Sequence, residues 1–205
     1  MAVLVCDKTI ADKLIQQRKK AGLDRFDEVW DGVYVMSPAA NNEHQSLASE
    51  FGAILKTLID WRNIGLTVIA ANVSDRQDRW TENYRVPDVL VFSKNTAAID
   101  RKSHWFGGPE LAIEIVSPGD KTFEKLDFYA AVKTQELLVI ERHPWNLTVF
   151  RFDPTCNRMD RTTDSSVNTF VSRIFPIQIL FDEQAMQLQV RNADGKLVHS
   201  IAIEE

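Results

Sequence analysis

Apolar residues recur at Leu47, Phe51, Ile54, Leu55, Leu58 and Ile59, the spacing of one helical face. They predict an amphipathic helix over "NNEHQSLASEFGAILKTLIDWRNIG", with Asn41 or Asn42 as its cap and Gly65 as its stop. A first helix is predicted over "DKTIADKLIQQRKKAG", where Asp7 can cap the start, Ile10, Leu14 and Ile15 are apolar, and Gly22 follows the end. A third is predicted over "KTFEKLDFYAAVK". Elsewhere the period falls to two or gives way to short apolar runs, the mark of strands: "LTVIAANVS", "RVPDVLVF", "ELAIEIVS", "ELLVIER" and "LTVFRF". "RFDEVWDGVYVM" reads as a hairpin turning at Asp31-Gly32. "DRQDRWTENY", Ser93 to Pro109 and residues 153–166 are predicted loops. The tail is strand-rich, and "MQLQVRNADGKLVHSIAI" suits a closing hairpin around Asn192 to Gly195.

Strands interleaved with helices predict the α/β class, with a central mixed β-sheet flanked by helices. The helix between "ELAIEIVS" and "ELLVIER" can serve as a crossover joining parallel strands. No composition break divides the chain, so residues 1–205 are expected to form a single domain with a β-rich C-terminal extension from about residue 167.

Two of the apolar strands carry an acid. Val86, Asp88, Leu90 and Phe92 share one face of the first, and Ala112, Glu114 and Val116 share one face of the second. A buried carboxylate needs a partner or a proton. Each could pair with an arginine or cap a turn. Side by side they would repel, and a divalent cation with a taste for hard oxygen ligands would relieve both. Lys125 has Phe128, Tyr129 and Val132 as helical neighbours, so either its stem packs while the ammonium reaches water, or the ammonium points toward the Glu114 strand. Glu28 shares a hairpin face with Phe26 and Trp30, and is either an edge acid beside Arg25 or a third acid facing the same cavity.

Formal net charge of −5 argues against a coat of positive charge for nucleic acid, although a local basic patch stays open. Two loops offer one. Arg76, Arg79 and Trp80, with Arg85 close behind, lie in the first; Arg101, Lys102, His104 and Trp105 lie in the second. Cations beside aromatics can hold phosphates and stack on bases, or be ordinary surface charge. The two cysteines, Cys6 and Cys156, and the short apolar N-terminal stretch without a cleavage pattern suggest free thiols and a cytoplasmic protein. No stretch has the length of a membrane span. Nucleotide-loop, zinc-protease, C-x-x-C and nucleophile-elbow motifs are absent.

Four stretches, "FDEVWDGVYVMSP", "EHQ", "VPDVLVF" and "LAIEIVSPGDKTFEKLDFYAAV", resemble in order and spacing the Uma-type family of restriction-endonuclease-like proteins, within the PD-(D/E)xK nuclease superfamily. The resemblance covers about residues 24–152, and the tail beyond about 180 fits poorly. It implies a restriction-endonuclease-like core and a Mg²⁺- or Mn²⁺-dependent endonuclease acting on nucleic acid, DNA in the first place. Asp88 and Glu114 would bind metal and Glu28 would be a further ligand. The lysine expected two residues after Glu114 is replaced by Val116, and Lys125, four residues before Tyr129, would stand in for it. His44 matches a histidine opening the second helix, a supporting rather than catalytic position. A nuclease fold without chemistry, binding nucleic acid or a protein partner, is the alternative. The strand-rich tail also suits a subunit interface, hence a homodimer.

Overall fold

A computed structural model describes residues 3–37, 41–117, 119–162 and 168–203. Its centre is a six-stranded sheet in the spatial order Arg158–Arg161, Trp145–Asp153, Glu136–Arg142, Leu111–Ile115, Val89–Ser93, Gly65–Ile69. Neighbours are antiparallel except Leu111–Ile115 and Glu136–Arg142, which run parallel and are joined by the predicted crossover. The class is therefore mixed α/β, as the interleaved pattern predicts.

The period of two in the central strands sorts side chains onto two helical layers. Val89, Val91, Leu111, Ile113 and Ile115 face helix α2 (Asn42–Leu55), whose stripe Leu47, Phe51, Ile54 and Leu55 is buried against them. Leu90, Phe92 and Ala112 face the other way, onto Phe128, Tyr129 and Ala130 of a short helix, Leu126–Ala131. Asp88 and Glu114 continue this second face. The helix over residues 121–133 is shorter than its pattern predicts. It opens as a tight 3₁₀ turn, Thr122–Lys125, and becomes α-helical only at Leu126.

Helix α1 (Lys8–Ala21) is capped as predicted: Asp7 accepts from Ile10 N at 3.0 Å, and Gly22 takes φ 67° and donates to the carbonyls of Arg18 and Lys19. Its buried contact is Ala11, while Ile10 points to solvent. Asp31 and Gly32 both take positive φ, 47° and 86°, the conformation a two-residue primed turn demands. This hairpin, Glu28–Trp30 with Val33–Met36, sits in a seven-stranded sheet of short strands that also takes up Val73–Ser74, the end of the predicted "LTVIAANVS" strand, Tyr84–Arg85 at a predicted loop–strand boundary, and Ile99–Asp100 and Trp105–Phe106 from a predicted loop.

Gly65 corrects a reading. It does not stop the second helix, which continues as a π-helical stretch, Lys56–Asp60, and turns at Asn63 with φ 58°. Gly65 opens a strand, and a methyl group there would lie 2.4 Å from the Phe92 carbonyl oxygen. Gly65→Ala is expected to lower unfolding free energy by about 1–3 kcal/mol, the usual cost of overpacking. Urea unfolding checks this, and a wild-type midpoint would contradict it.

The tail forms an antiparallel sheet of Thr169–Val171, Ile177–Asp182, Gln187–Asn192 and Leu197–Ala202. Its apolar face (Phe170, Ile177, Ile179, Leu188, Val190, Ile201) shares one buried cluster with α2 and the central sheet, so the surface expected for a subunit partner is turned inward. Glu136, 2% exposed, ties it down by accepting from Arg173 N at 2.9 Å and Ser172 Oγ at 2.5 Å. Within residues 153–166, a predicted loop, the polar run Arg158–Arg161 is instead the edge strand of the central sheet; residues 163–167 lie outside the described set.

Candidate active site

Asp88 ends the approach to Val89–Ser93, and Glu114 lies in Leu111–Ile115, the antiparallel neighbour whose register pairs Ile113 with Val89. One residue further along both strands, the two acids come side by side. Asp88 Oδ2 accepts from Ile115 N at 2.7 Å, a bond that spans the two strands. Glu114, 3% exposed, accepts at Oε1 from the Lys125 ammonium at 3.1 Å and from the Tyr129 hydroxyl. Neither acid pairs with an arginine among the described residues, so that explanation for their burial falls away.

The ammonium of Lys125 does not snorkel. Its 3₁₀ turn follows the Glu114 strand closely and directs it inward, where it is buried and bridges Glu114 Oε1 and Glu28 Oε1 at 3.1 Å each. Glu28 is fixed on three sides: Oε1 also accepts from Val86 N at 2.9 Å, and Oε2 accepts from Trp30 Nε1 at 2.7 Å. Arg25 is not its partner; that guanidinium lies over Phe26 instead. His44, seated by the Asn41 cap at the start of α2, brings Nε2 to 3.2 Å from Asp88 Oδ1, while its buried Nδ1 has no hydrogen-bond partner among the described residues.

These groups line one cavity of about 80 Å³. Its charged wall holds Glu28, His44, Asp88, Glu114, Asp120, Lys125 and Lys121, the last paired with Glu124, and Phe26, Trp30, Val35 and Val86 form an apolar wall. Asp88, Glu114 and Glu28 face a single buried ammonium. Burial, helped by Asp88 and Glu28, pushes the Glu114 carboxyl up to about 8 although Lys125 pulls it down. For Lys125, burial alone would favour loss of the proton, yet Glu114 and Glu28 overrule it and hold the ammonium charged well beyond its ordinary range. Tyr129 is held well above its usual range by burial and by Glu114.

The sign of the resulting pH dependence is fixed. The folded chain keeps a proton on Glu114 that the unfolded chain releases near 4.5. The Glu114 contribution to the stability of the metal-free protein therefore falls as pH rises from that value toward about 8, by up to about 1.4 kcal/mol per pH unit, and levels off above; His104, which burial holds below 6.5, contributes with the opposite sign in the acidic part of this window. Urea unfolding in a chelator, parent against Glu114→Gln, isolates the Glu114 contribution across this window. A difference between the two that does not change with pH would contradict it.

Sequence reasoning missed several supports. Asp27, 1% exposed, accepts from Arg18 Nη2 at 2.7 Å, Ser37 N at 2.9 Å and the Tyr34 hydroxyl, and so pins the hairpin that carries Glu28. Arg142, fully buried, joins Glu43 at 2.5 Å, Asn41 Oδ1 at 3.0 Å and the Val116 carbonyl at 3.1 Å, tying the α2 start to the Glu114 strand.

The loop cations divide. Arg85 is 5% exposed and its guanidinium is clamped between the rings of Trp30 and Phe128, so it cannot meet nucleic acid at the surface as its position in sequence suggests. Arg76 pairs with Asp31 at 2.7 Å, Arg79 with Glu82 at 2.6 Å, and Lys102 with Asp100 at 3.3 Å. Arg101 is exposed, and Trp80 stacks on His104. Away from the cavity, Asp153, Cys156 and Asp160 place one possible ligand atom each within 4.8 Å of the others. Their atoms are engaged: Cys156 Sγ donates to Asp153 at 3.0 Å, and Asp160 pairs with Arg158 at 2.5 Å.

Acids on neighbouring strands of a mixed sheet, with a crossover lysine returning to them, define a restriction-endonuclease-like fold. The crystal structure of a putative nuclease belonging to DUF820 from Anabaena variabilis ATCC 29413 aligns with a TM-score of 0.55 and 15% identity, covering 73% of this chain and 83% of that one. The model of the family described as "Uma2: Putative restriction endonuclease" matches residues 17–179, and the chain belongs to that family. The match runs past residue 152, the limit of the motif resemblance, and takes in the Arg158–Arg161 and Thr169–Val171 strands. No curated protein matches.

Proposed function

We propose that the protein is a divalent-metal-dependent endonuclease that hydrolyses phosphodiester bonds of nucleic acid, with DNA as substrate and Mg²⁺ or Mn²⁺ as the ion. The observation that carries this reading is the convergence of Asp88, Glu114, Glu28 and Lys125 on one cavity from four separate elements. The donor set fits a hard cation: all three acids offer oxygen, and although burial is the main reason Glu114 favours a proton, the neighbouring Asp88 and Glu28 that add to this effect would favour a divalent ion as well.

Asp88 Oδ1 and Glu114 Oε2 would hold the ion, since Glu114 Oε2 accepts no hydrogen bond from a described residue. Glu28 would complete the shell through water, because the Lys125 ammonium stands between it and Glu114. When bound, the ion supplies Lewis acidity to a phosphodiester oxygen and lowers the pKa of a water. The chain's own residues prepare the rest. His44 and Ile115 N hold Asp88 in one orientation, and Tyr129 does so for Glu114. Lys125, charged at all working pH, offsets the charge that develops on the phosphoryl oxygens. Arg101 and Lys102 are proposed contacts to the nucleic-acid backbone, and the exposed free thiols Cys6 and Cys156 suit the cytoplasm.

One observation favours a binding module without chemistry: Lys125 is already engaged by two carboxylates. Cleavage of plasmid and linear DNA with Mg²⁺ or Mn²⁺, by the intact protein and by Glu114→Gln, separates the readings. Ion-dependent cleavage lost in the variant supports the nuclease. Equal traces of cleavage in both samples would overturn it.

A further inference from the structure

A second groove, of about 610 Å³, lies behind the Glu28 hairpin. Val29 and Tyr34 line it, whereas Glu28, Trp30 and Val35 line the acidic cavity. Alternate residues of one hairpin thus form walls of both spaces, and the adjacent residues Arg25 and Phe26 flank the divide, Arg25 on the groove and Phe26 on the cavity. The volume is in the range of ordinary ligand pockets.

The rest of its lining is particular. Trp80 is backed on one side by the buried ring of His104, stacked at 4.8 Å with 13° between planes. Tyr84 meets Trp80 edge to face at 5.2 Å, so the indole is braced by two neighbours. Burial raises the Tyr84 hydroxyl well above its usual range, and that hydroxyl makes no hydrogen bond with a described residue. Lys19 and Arg25 supply positive charge, and neither forms an ion pair with a described residue. Arg76 and Arg79, the cations the sequence points to, are neutralised by Asp31 and Glu82. Asp24 is the acid on the groove wall. A braced aromatic face beside cations free of ion pairs with described residues, Lys19 and an Arg25 that lies over the Phe26 ring, is the chemistry that takes up an unpaired nucleotide: the ring stacks a base and the cations meet its phosphates. A duplex, whose bases are stacked on one another, has no base to offer without unpairing.

We propose that this groove binds an unpaired nucleotide of a single-stranded nucleic acid, one whose chain continues over the Arg25–Phe26 rim to the acidic cavity. This deepens the proposed nuclease reading by naming its substrate as single-stranded or frayed nucleic acid. The groove's own binding does not depend on cleavage.

The test is equilibrium binding of a short labelled single-stranded oligodeoxynucleotide, and of the same sequence as a duplex, to the full chain in chelator, where hydrolysis is excluded. Single strand is expected to bind at least about tenfold more tightly than duplex. Trp80→Ala is expected to weaken single-strand binding about tenfold or more, the scale of one lost base–aromatic stack, and Trp80→Phe to retain most of it. Lys19→Ala should lower the salt dependence of binding by about one counterion. Equal affinity for duplex, or a folded Trp80→Ala variant binding as the parent does, would overturn the proposal. If Trp80→Ala fails to fold, the Trp80→Phe and Lys19→Ala results decide: weaker binding for Trp80→Phe than for Lys19→Ala with an unchanged salt slope would also overturn it. Absence of cleavage in Mg²⁺ with intact binding would sink only the nuclease reading.

Discussion

Asp88→Asn and Glu114→Gln are each expected to reduce ion-dependent DNA cleavage by about a thousandfold or more, while leaving the fold intact. The size follows from what each substitution removes. On the proposed reading, a neutral amide in place of either carboxylate would take away a charged oxygen ligand of the ion, and with it the Lewis acidity that the ion would supply. The fold should survive because the two sites carry more negative charge than their surroundings neutralise. Glu114→Gln keeps an oxygen for Tyr129 and Lys125, and Asp88→Asn keeps one for Ile115 N. With Glu114 raised to about 8, the glutamine resembles the protonated acid that the metal-free protein already holds at neutral pH. Wild-type rates in either variant, measured at saturating Mg²⁺ by initial velocity on plasmid DNA, would remove these acids from the chemistry.

Lys125→Met is expected to destabilise the protein by about 3–5 kcal/mol, the typical cost of deleting one partner from a buried ionic group. Among the described residues the ammonium is the cation that bridges Glu28 and Glu114, both about 3% exposed, and without it the two acids lose their direct ion pair, with the buried Arg85 guanidinium left as a more distant counter-charge to Glu28. They would respond by taking up protons, so the loss should be largest at alkaline pH and smallest near pH 5. A divalent ion should restore part of the stability by supplying the missing charge, and on the proposed reading, in which Lys125 offsets charge on the phosphoryl oxygens, cleavage should remain defective. Thermal unfolding with and without Mn²⁺ at two pH values checks the pattern. A Lys125→Met variant as stable as the parent at alkaline pH would mean that the three groups are not coupled.

The acids were the legible part of the site, for a physical reason. A strand's period of two says which residues share a face, so Asp88 with Leu90 and Glu114 with Ala112 could be placed from the pattern alone, and the structure turns those faces toward the same helix. Helical spacing singled out Lys125 but left open whether its ammonium turns to water or to the Glu114 strand, and the family resemblance added a role without settling that geometry. Helical spacing placed Phe128 and Tyr129 beside it, whereas the 3₁₀ turn that aims its ammonium leaves no periodic trace in four residues. Partners remote in sequence were illegible: the Arg142–Glu43 pair spans 99 positions, and Asp27 gives no hint that Arg18 and Tyr34 will meet it. Gly65 looked like a helix stop because glycine is the usual residue there. Its real reason is the Phe92 carbonyl of a neighbouring strand, a contact that exists only after folding. The Arg158–Arg161 strand was hidden because an edge strand over half-polar surroundings needs only Met159 to be apolar. The tail is β-rich as its residues predict, but its strand pattern gave no sign that its apolar face would pack on α2 and the central sheet of the same chain.

The most direct test of the acidic cavity is calorimetric titration of the protein with Mn²⁺ at neutral pH, run alongside Asp88→Asn. One site per chain, lost in the variant, with proton release when the ion displaces the proton on Glu114, is the expected result. No heat of binding in the parent, or the same isotherm in the variant, would mean that the three acids and the ammonium form a structural charge cluster and not the seat of an ion.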